Sequence, residues 1–281
     1  MEYASMLEVL SEVRVTIVDA QHELLPFVDS EIVDDLLFHM RSWGCRLMLG
    51  DSVVSVQDKP EVSKVLVKLK SGRSVVGDCV LFTIGRVGNA DKLGLKTVGI
   101  ELEDKNRIKV NENYQTVVPH IYAVGDVISP STNASTALLQ GRIATCNIFN
   151  IPYTPIDPKL VPYGIYSIPE IGMVGKTEKA LLEEGIPYEI GVARFSDLAK
   201  GMMQGDAVGG QLKILFHNST REILGVHCIG ENATELVHLG QVAMAFKLPI
   251  DYFAETVLNF PTLAEAYQVA ALAGKNKLEY F

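Results

Sequence analysis

No two of the four cysteines in this sequence stand close enough to form a Cys-x-x-Cys pair. Cys45, Cys79, Cys146 and Cys228 are scattered over 281 residues, a usage that suits reduced, mostly buried thiols of a cytoplasmic protein. The six histidines, His22, His39, His120, His217, His227 and His238, show no metal-ligand spacing, so no metal site is expected. Positive charge is also short. A net charge of −9 and a pI near 5.2 argue against a nucleic-acid or anionic-membrane partner. No uncharged apolar run approaches the roughly 18 residues of a membrane-spanning helix, and no basic-then-apolar leader opens the chain, so neither a transmembrane segment nor a secretory signal is expected. The Asn-x-Thr matches at Asn218 and Asn232 are then accidental.

What is present is a globular composition, 48% hydrophobic and 21% charged, long enough for two modest domains or one large one. The most informative stretch is Thr116-Val117-Val118-Pro119-His120-Ile121-Tyr122-Ala123-Val124-Gly125-Asp126. It reads as a turn at Pro119, a buried strand from Ile121 to Val124, and a stop at Gly125-Asp126. A helix follows from near Asn133 through Ala137, Leu138, Ile143, Ala144 and Ile148. Such an order puts a carboxylate at the carboxyl edge of a parallel sheet, where open α/β sheets bind ligands. Glycine permits close backbone approach, aspartate accepts hydrogen bonds from sugar-like hydroxyls, and the helix start favours negative charge.

Elsewhere the pattern predicts a helix from Met1 to Ser11 with Tyr3, Met6, Leu7 and Leu10 on one face, then a strand from Arg14 to Asp19. A second helix capped by Asp29 or Ser30 carries Ile32, Leu36, Leu37, Met40 and Trp43 and closes at Gly44. Strands follow at 46–49, 53–56 and 64–69, where Lys64, Lys68, Lys70 and Arg73 mark the solvated side of a hairpin turning at Ser71-Gly72. Val75 to Ile84 reaches another sheet edge. After the linker prolines Pro152, Pro155, Pro158 and Pro162 a new domain begins, with Thr177 as a helix cap and a strand from Tyr188 to Phe195. Gln211–His217 and Glu222–Ile229 alternate as an antiparallel hairpin, with helices from Glu231 and from Thr262 to Lys275.

The 116–126 segment resembles the second flavin motif of the pyridine nucleotide-disulfide oxidoreductases, FAD-dependent enzymes. The resemblance extends through Leu81-Phe82-Thr83-Ile84-Gly85-Arg86-Val87-Gly88-Asn89, Ser167-Ile168-Pro169-Glu170 and Val174-Gly175-Lys176-Thr177-Glu178, and covers essentially the whole chain. It implies a partial flavoprotein fold of two dinucleotide-binding domains, α/β in class, followed by an α+β dimerisation domain. The implied divisions are 1–84 (NAD(P)-binding, lacking its first strand and glycine loop), 85–158 (FAD-binding) and 159–281 (dimerisation). By resemblance Gly125, Asp126, Ala134 and Ser135 hold the flavin, while Asp19 and Gly85 seat the nicotinamide dinucleotide. Glu2-Tyr3-Ala4-Ser5 resembles the tail of the family's glycine loop, so that loop is expected before Met1. Asp19 would accept a hydrogen bond from the ribose 2′-hydroxyl of NAD and repel the 2′-phosphate of NADP.

One family residue is absent. The disulfide reductases carry His-Pro-Thr followed three residues later by Glu, whereas this chain has Asn259-Phe260-Pro261-Thr262 with Glu265. Phenylalanine cannot move a proton, so a thiol reaction loses its acid/base group. Thr262 and Glu265 are then expected as a capping box. The substitution, with Gly88 and Ile223-Leu224-Gly225-Val226-His227-Cys228, resembles the family's transhydrogenase branch, which passes hydride between NADPH and NAD through FAD and requires no catalytic side chain. A dihydrolipoamide dehydrogenase-like reductase and a non-catalytic dimerisation fragment are the alternatives. A homodimer is implied throughout.

Overall fold

A parallel βαβ unit opens the described fold, which in this computed structural model comprises residues 1–10, 12–128, 133–205 and 209–279. The chain divides into two compact units, 1–79 with 159–281, and 80–158. Residues 1–79 of the first expected domain (1–84) and the last expected domain (159–281) thus share one unit, and residues 80–84 fall in the other. Ser11 of the first expected helix, and Tyr280 and Phe281 of the last expected domain, lie outside the described residues.

Helix α1 (Glu2–Glu8) is shorter than expected and faces the other way. It buries Ser5 and Glu8 and leaves Tyr3, Met6, Leu7 and Leu10 exposed. The polar groups are held in place. Glu8 Oε2 accepts the Val15 N–H at 2.7 Å, and the Ser5 hydroxyl accepts the Ile168 N–H at 3.0 Å. Strand β1 (Thr16–Asp19), two residues shorter at its start than expected, pairs in parallel with β2 (Arg46–Leu49). Helix α2 (Ser30–Trp43) crosses between them; Asp29 accepts the Glu31 N–H at its start, and Gly44 ends it in the left-handed region at φ 110°. Ile32, Leu36 and Met40, spaced at i, i+4 and i+8, are fully buried and stabilise the unit by about 1.5–3 kcal/mol each. An antiparallel meander follows, β3 (Val53–Lys59), β4 (Lys64–Leu69) and β5 (Ser74–Gly77).

In the 80–158 unit the only strands among the described residues are β6 (Leu102–Glu103) and β7 (Arg107–Ile108), an antiparallel pair. Helix α3 (Ala134–Ile148) is the one long element among its described residues. Two expected strands are corrected here. The predicted 75–84 strand ends with β5 at Gly77, and Leu81, Phe82 and Ile84 are exposed. The predicted 121–124 strand is a single bridge, Gln115 to Tyr122. Apolar runs become strands only beside a strand partner, and neither segment has one among the described residues.

The remainder is built on a five-stranded antiparallel sheet. Its elements in chain order are β8 (Tyr163–Ile165), β9 (Ile171–Gly175), α4 (Glu178–Glu183), β10 (Tyr188–Arg194), α5 (Ala199–Gln204), β11 (Gln211–His217), β12 (Ile223–Ile229), α6 (Ala233–Ala245), α7 (Asp251–Glu255) and α8 (Glu265–Glu279). The strand order is β10-β11-β12-β9-β8. Leu212, Ile214 and Phe216 of β11 share a core with Leu236 and Val237 of α6 and Ala266, Tyr267 and Ala270 of α8. A side chain at Gly240 would collide with Val226 Cγ2 at 2.6 Å, which explains how α6 lies so close to β12. Ile165, Ile171 and Ile229 join the α2 core. Helices therefore cover both faces of this sheet, and β11 is buried from Gln211 to Phe216, not half-solvated as simple alternation implies.

On the α2 side that burial includes a charge. Lys213 Nζ, with no exposed surface, lies 2.9 Å from Asp29 Oδ1, 2.9 Å from Glu31 Oε2 and 2.7 Å from Glu178 Oε2. Burial works against the ammonium, but the hydrogen bonds it donates to Glu178, Asp29 and Glu31 outweigh it and raise its pKa. Burial likewise opposes the Asp29 carboxylate, and its bond to Lys213 brings the pKa below the usual value. His227 nearby donates its Nε2–H to the Lys176 carbonyl at 2.8 Å, and burial depresses its pKa. No described helix is long and apolar enough to cross a membrane.

Candidate functional site

The sequence places Gly85 and Asp126 forty-one residues apart, and the fold of the 80–158 unit brings their surroundings together. Arg86, next to Gly85, reaches Asp126: its Nη1 donates to Oδ2 at 2.9 Å. Both side chains are more than half exposed, so this ion pair contributes little stability. Its effect is orientational, fixing one carboxylate oxygen and leaving Oδ1 with no partner among the described residues.

Gly125 precedes that carboxylate in a left-handed conformation, φ 80°, and starts a short 3-10 turn, Gly125–Val127. A residue with a Cβ would be strained here, and its Cβ would touch Ala137 of α3 at 3.4 Å. The Gly125 N–H donates to Gln140 Oε1 at 2.8 Å, a buried bond that ties the turn to α3. Asn133 caps α3 by accepting the Thr136 N–H at 2.8 Å. Ala134 and Ser135 form its exposed first turn, whose amides have no helical acceptor. Gly85 has φ 139°, and nothing lies within 4 Å of where its Cβ would stand. The result is an open, backbone-lined surface with one oriented carboxylate and a helix N-terminus.

The expected parallel-sheet edge beneath Asp126 is not observed, since β6 and β7 are antiparallel and Ile121–Val124 is not a strand. Arg86 and Gln140 are the residues that sequence reasoning missed. Arg86 had a signal, as the one cation beside Gly85; Gln140 had none, being a neutral residue inside a helix.

Asp19, in the other unit, ends β1 at the carboxyl edge of the parallel pair and is half-buried. Its Oδ1 accepts the Gln21 N–H at 2.8 Å, which steadies the carboxylate at that edge. Phe260 is 68% exposed in the loop before α8. The capping box beside it is half formed. Glu265 Oε2 accepts the Thr262 N–H at 3.1 Å, but the Thr262 hydroxyl donates to the Asn259 carbonyl at 2.7 Å, so α8 begins at Glu265 and not at Thr262. Of the cysteines, Cys45 and Cys228 are buried, Cys146 is partly buried and Cys79 is exposed. Burial raises the Cys45 thiol to about 11, far from a reactive thiolate. Among the described residues no cluster of His, Cys, Asp and Glu could hold a metal ion.

Residues 1–142 match the pyridine nucleotide-disulphide oxidoreductase family, and residues 161–271 match that family's dimerisation domain. Soluble pyridine nucleotide transhydrogenases from Chromohalobacter salexigens and Photobacterium profundum are 44% and 43% identical over 99% of this chain. The chain spans 59% of the length of those relatives. Among solved structures, LpdA from Mycobacterium tuberculosis is 29% identical with a TM-score of 0.87, covering 96% of this chain and 58% of that one. The HOCl-induced flavoprotein disulfide reductase RclA from Escherichia coli, at 22% identity and TM-score 0.89, covers 96% of this chain and 61% of that one and shares the fold.

Proposed function

Because this chain belongs to the pyridine nucleotide-disulphide oxidoreductase family, we propose that it forms the larger part of a FAD-dependent enzyme that passes hydride from NADPH to NAD. The observation that carries this reading is Phe260, an exposed aromatic where the disulfide reductases hold their proton-relaying histidine. A hydride route that needs no proton relay fits that residue best. FAD, when bound, supplies the hydride acceptor and donor chemistry.

The residues of the 80–158 unit suit that group. Asp126, with Oδ1 open, would accept hydrogen bonds from the ribityl hydroxyls. Gly125 and Gly85 would let the backbone approach, and the first-turn amides at Ala134 and Ser135 would face the polar edge of the ring. Asp19 would accept from the ribose 2′-hydroxyl of NAD and disfavour the NADP 2′-phosphate. This last residue favours a second reading, an NAD-preferring flavoprotein reductase of the dihydrolipoamide dehydrogenase type, which Phe260 opposes. Exposed apolar groups on the C-terminal helices, Leu239, Val242 and Phe246 of α6 and its cap and Val269 and Leu272 of α8, would bury against a second subunit, making the enzyme a homodimer.

The deciding assay gives the FAD-supplemented native gene product NADPH with an NAD analogue and, separately, NADH with lipoamide. Transfer to the analogue with no lipoamide reduction is expected. Lipoamide reduction would mean that the second reading is correct.

A further inference from the structure

The one tryptophan of the chain, Trp43, ends α2 on the stripe that buries Ile32, Leu36 and Met40, yet it is only half-buried. It lines a cleft of about 510 Å³ bounded by α2, the turn between β8 and β9, and the turn between β12 and α6. All of these lie in the unit made of 1–79 and 159–281. The volume is within the usual span of small-molecule sites. His39, one turn earlier on α2, also lines it, its ring centroid 6.1 Å from that of Trp43 with the planes tilted by 35°. His39 is 4% exposed. Its Nε2–H donates to the Gly209 carbonyl at 3.1 Å, which leaves Nδ1 an acceptor with no partner among the described residues.

The rest of the polar lining also accepts hydrogen bonds. Glu170 is held by one oxygen: Oε1 accepts the Thr234 N–H at 3.2 Å and the Thr234 hydroxyl at 3.3 Å, and Oε2 has no partner among the described residues. Glu231 is exposed at the rim, and Asn232 does not spend its side chain on capping α6. No lysine or arginine is among the described lining residues. An anion is therefore disfavoured. The amides that open α6 are already bonded, Thr234 to Glu170, and Ala233 and Glu235 to the Gly230 and Asn232 carbonyls. A neutral apolar guest would strip water from Glu170 Oε2 and His39 Nδ1 and offer them no donor.

We propose that this cleft binds a small organic cation of the guanidinium class, stacked on Trp43 and hydrogen-bonded to Glu170. A guanidinium is flat enough to lie on an indole face, carries its charge there favourably, and presents several N–H donors to a carboxylate and an imidazole nitrogen. The site uses none of the residues assigned to flavin or nicotinamide. Its occupant would tie α2 to the two turns of the five-stranded sheet and raise the unfolding midpoint as its concentration rises.

The test is calorimetric titration of the native gene product with N-butylguanidinium and with the neutral N-butylurea, which has the same shape. Saturable one-to-one binding of the cation is expected, with the urea at least about tenfold weaker. The emission of wild type minus that of Trp43→Phe should change with the same midpoint, which assigns the binding to this cleft. Glu170→Gln keeps an oxygen for Thr234 but removes the charge, and should weaken binding about tenfold or more. Glu231→Gln, at an exposed position, should weaken it about twofold. If Glu170→Gln lowers the unfolding midpoint, the comparison of cation with urea and the Glu231→Gln variant still decide. Equal binding of the urea overturns the proposal, as does binding undiminished in both glutamate variants. So does the absence of saturation at millimolar cation, or a change in Trp43 emission produced by inorganic phosphate instead.

Discussion

The two compact units differ most in what their cores accomplish. In the unit made of 1–79 and 159–281, twenty-one buried side chains form a single cluster around the five-stranded sheet, α6 and α8, and a second cluster packs α2 against the same sheet. In the 80–158 unit the described core has four buried members, two of them alanine. The difference separates a unit with an extensive core from one that leaves polar and backbone groups open. A sheet with helices on both faces and its central strands β11 and β12 largely buried holds itself together. A thin unit with an oriented carboxylate, positive-φ glycines at Gly85 and Gly125 and an open helix start exposes polar and backbone groups instead.

The sharpest way to break this contrast is to strike the larger core. Phe216→Ala removes a fully buried ring and should cost about 3–5 kcal/mol, with loss of the whole unit in one transition on chemical denaturation. Lys213→Ala should cost a similar 3–5 kcal/mol, because Asp29 and Glu178 would be left close together without their cation. Lys213→Met should be equally damaging, since it too abandons the carboxylates. If either lysine variant is neutral, the cluster is not what joins α2 to the sheet.

A smaller effect follows from pH. Buried His227 has a folded pKa below its ordinary 6.5, so the unfolded chain binds a proton there first. Its contribution is fully present above about pH 6.5 and is lost as pH falls below it, by at most about 1.4 kcal/mol per pH unit. Asp29, also depressed, adds a second loss as pH falls below 3.8 and through its folded pKa. Urea midpoints across pH 4–7 for wild type and His227→Gln would separate the first step, which the variant should lack.

The smallest stability effect belongs to the candidate site. Asp126→Ala and Arg86→Gln remove an exposed ion pair and should shift stability by no more than about 0.5 kcal/mol. The same Asp126→Ala change should nevertheless weaken flavin retention in the complete assembly. A large stability loss with unchanged flavin would turn Asp126 into a structural residue.

Much of the larger unit is legible in the sequence. Asp29 and Gly44 bracket α2, Thr177 caps α4 by accepting the Ala180 N–H, and the alternation at 211–217 and 223–229 locates the central hairpin. Local signals of this kind need no knowledge of neighbours. The errors arise where neighbours decide. Periodicity identifies the apolar stripe of α1 but not that Ser5 and Glu8 would be the buried side. Apolar content at 75–84 and 121–124 implies strands, yet a strand exists only with a partner to pair it. The ion cluster was invisible because Lys213 and Asp29 are 184 residues apart and a lysine in an alternating strand reads as solvated. At the site, the sequence singles out Gly85, Gly125 and Asp126, whereas the ligation of Asp126 by Arg86 and of Gly125 by Gln140 depends on the folded unit.

The most direct test of the account is the visible absorption spectrum of the native gene product, purified from its source without added cofactor. The account requires a flavin spectrum at stoichiometric occupancy that NADPH bleaches and NAD restores. A colourless protein that takes up no FAD on titration would contradict it.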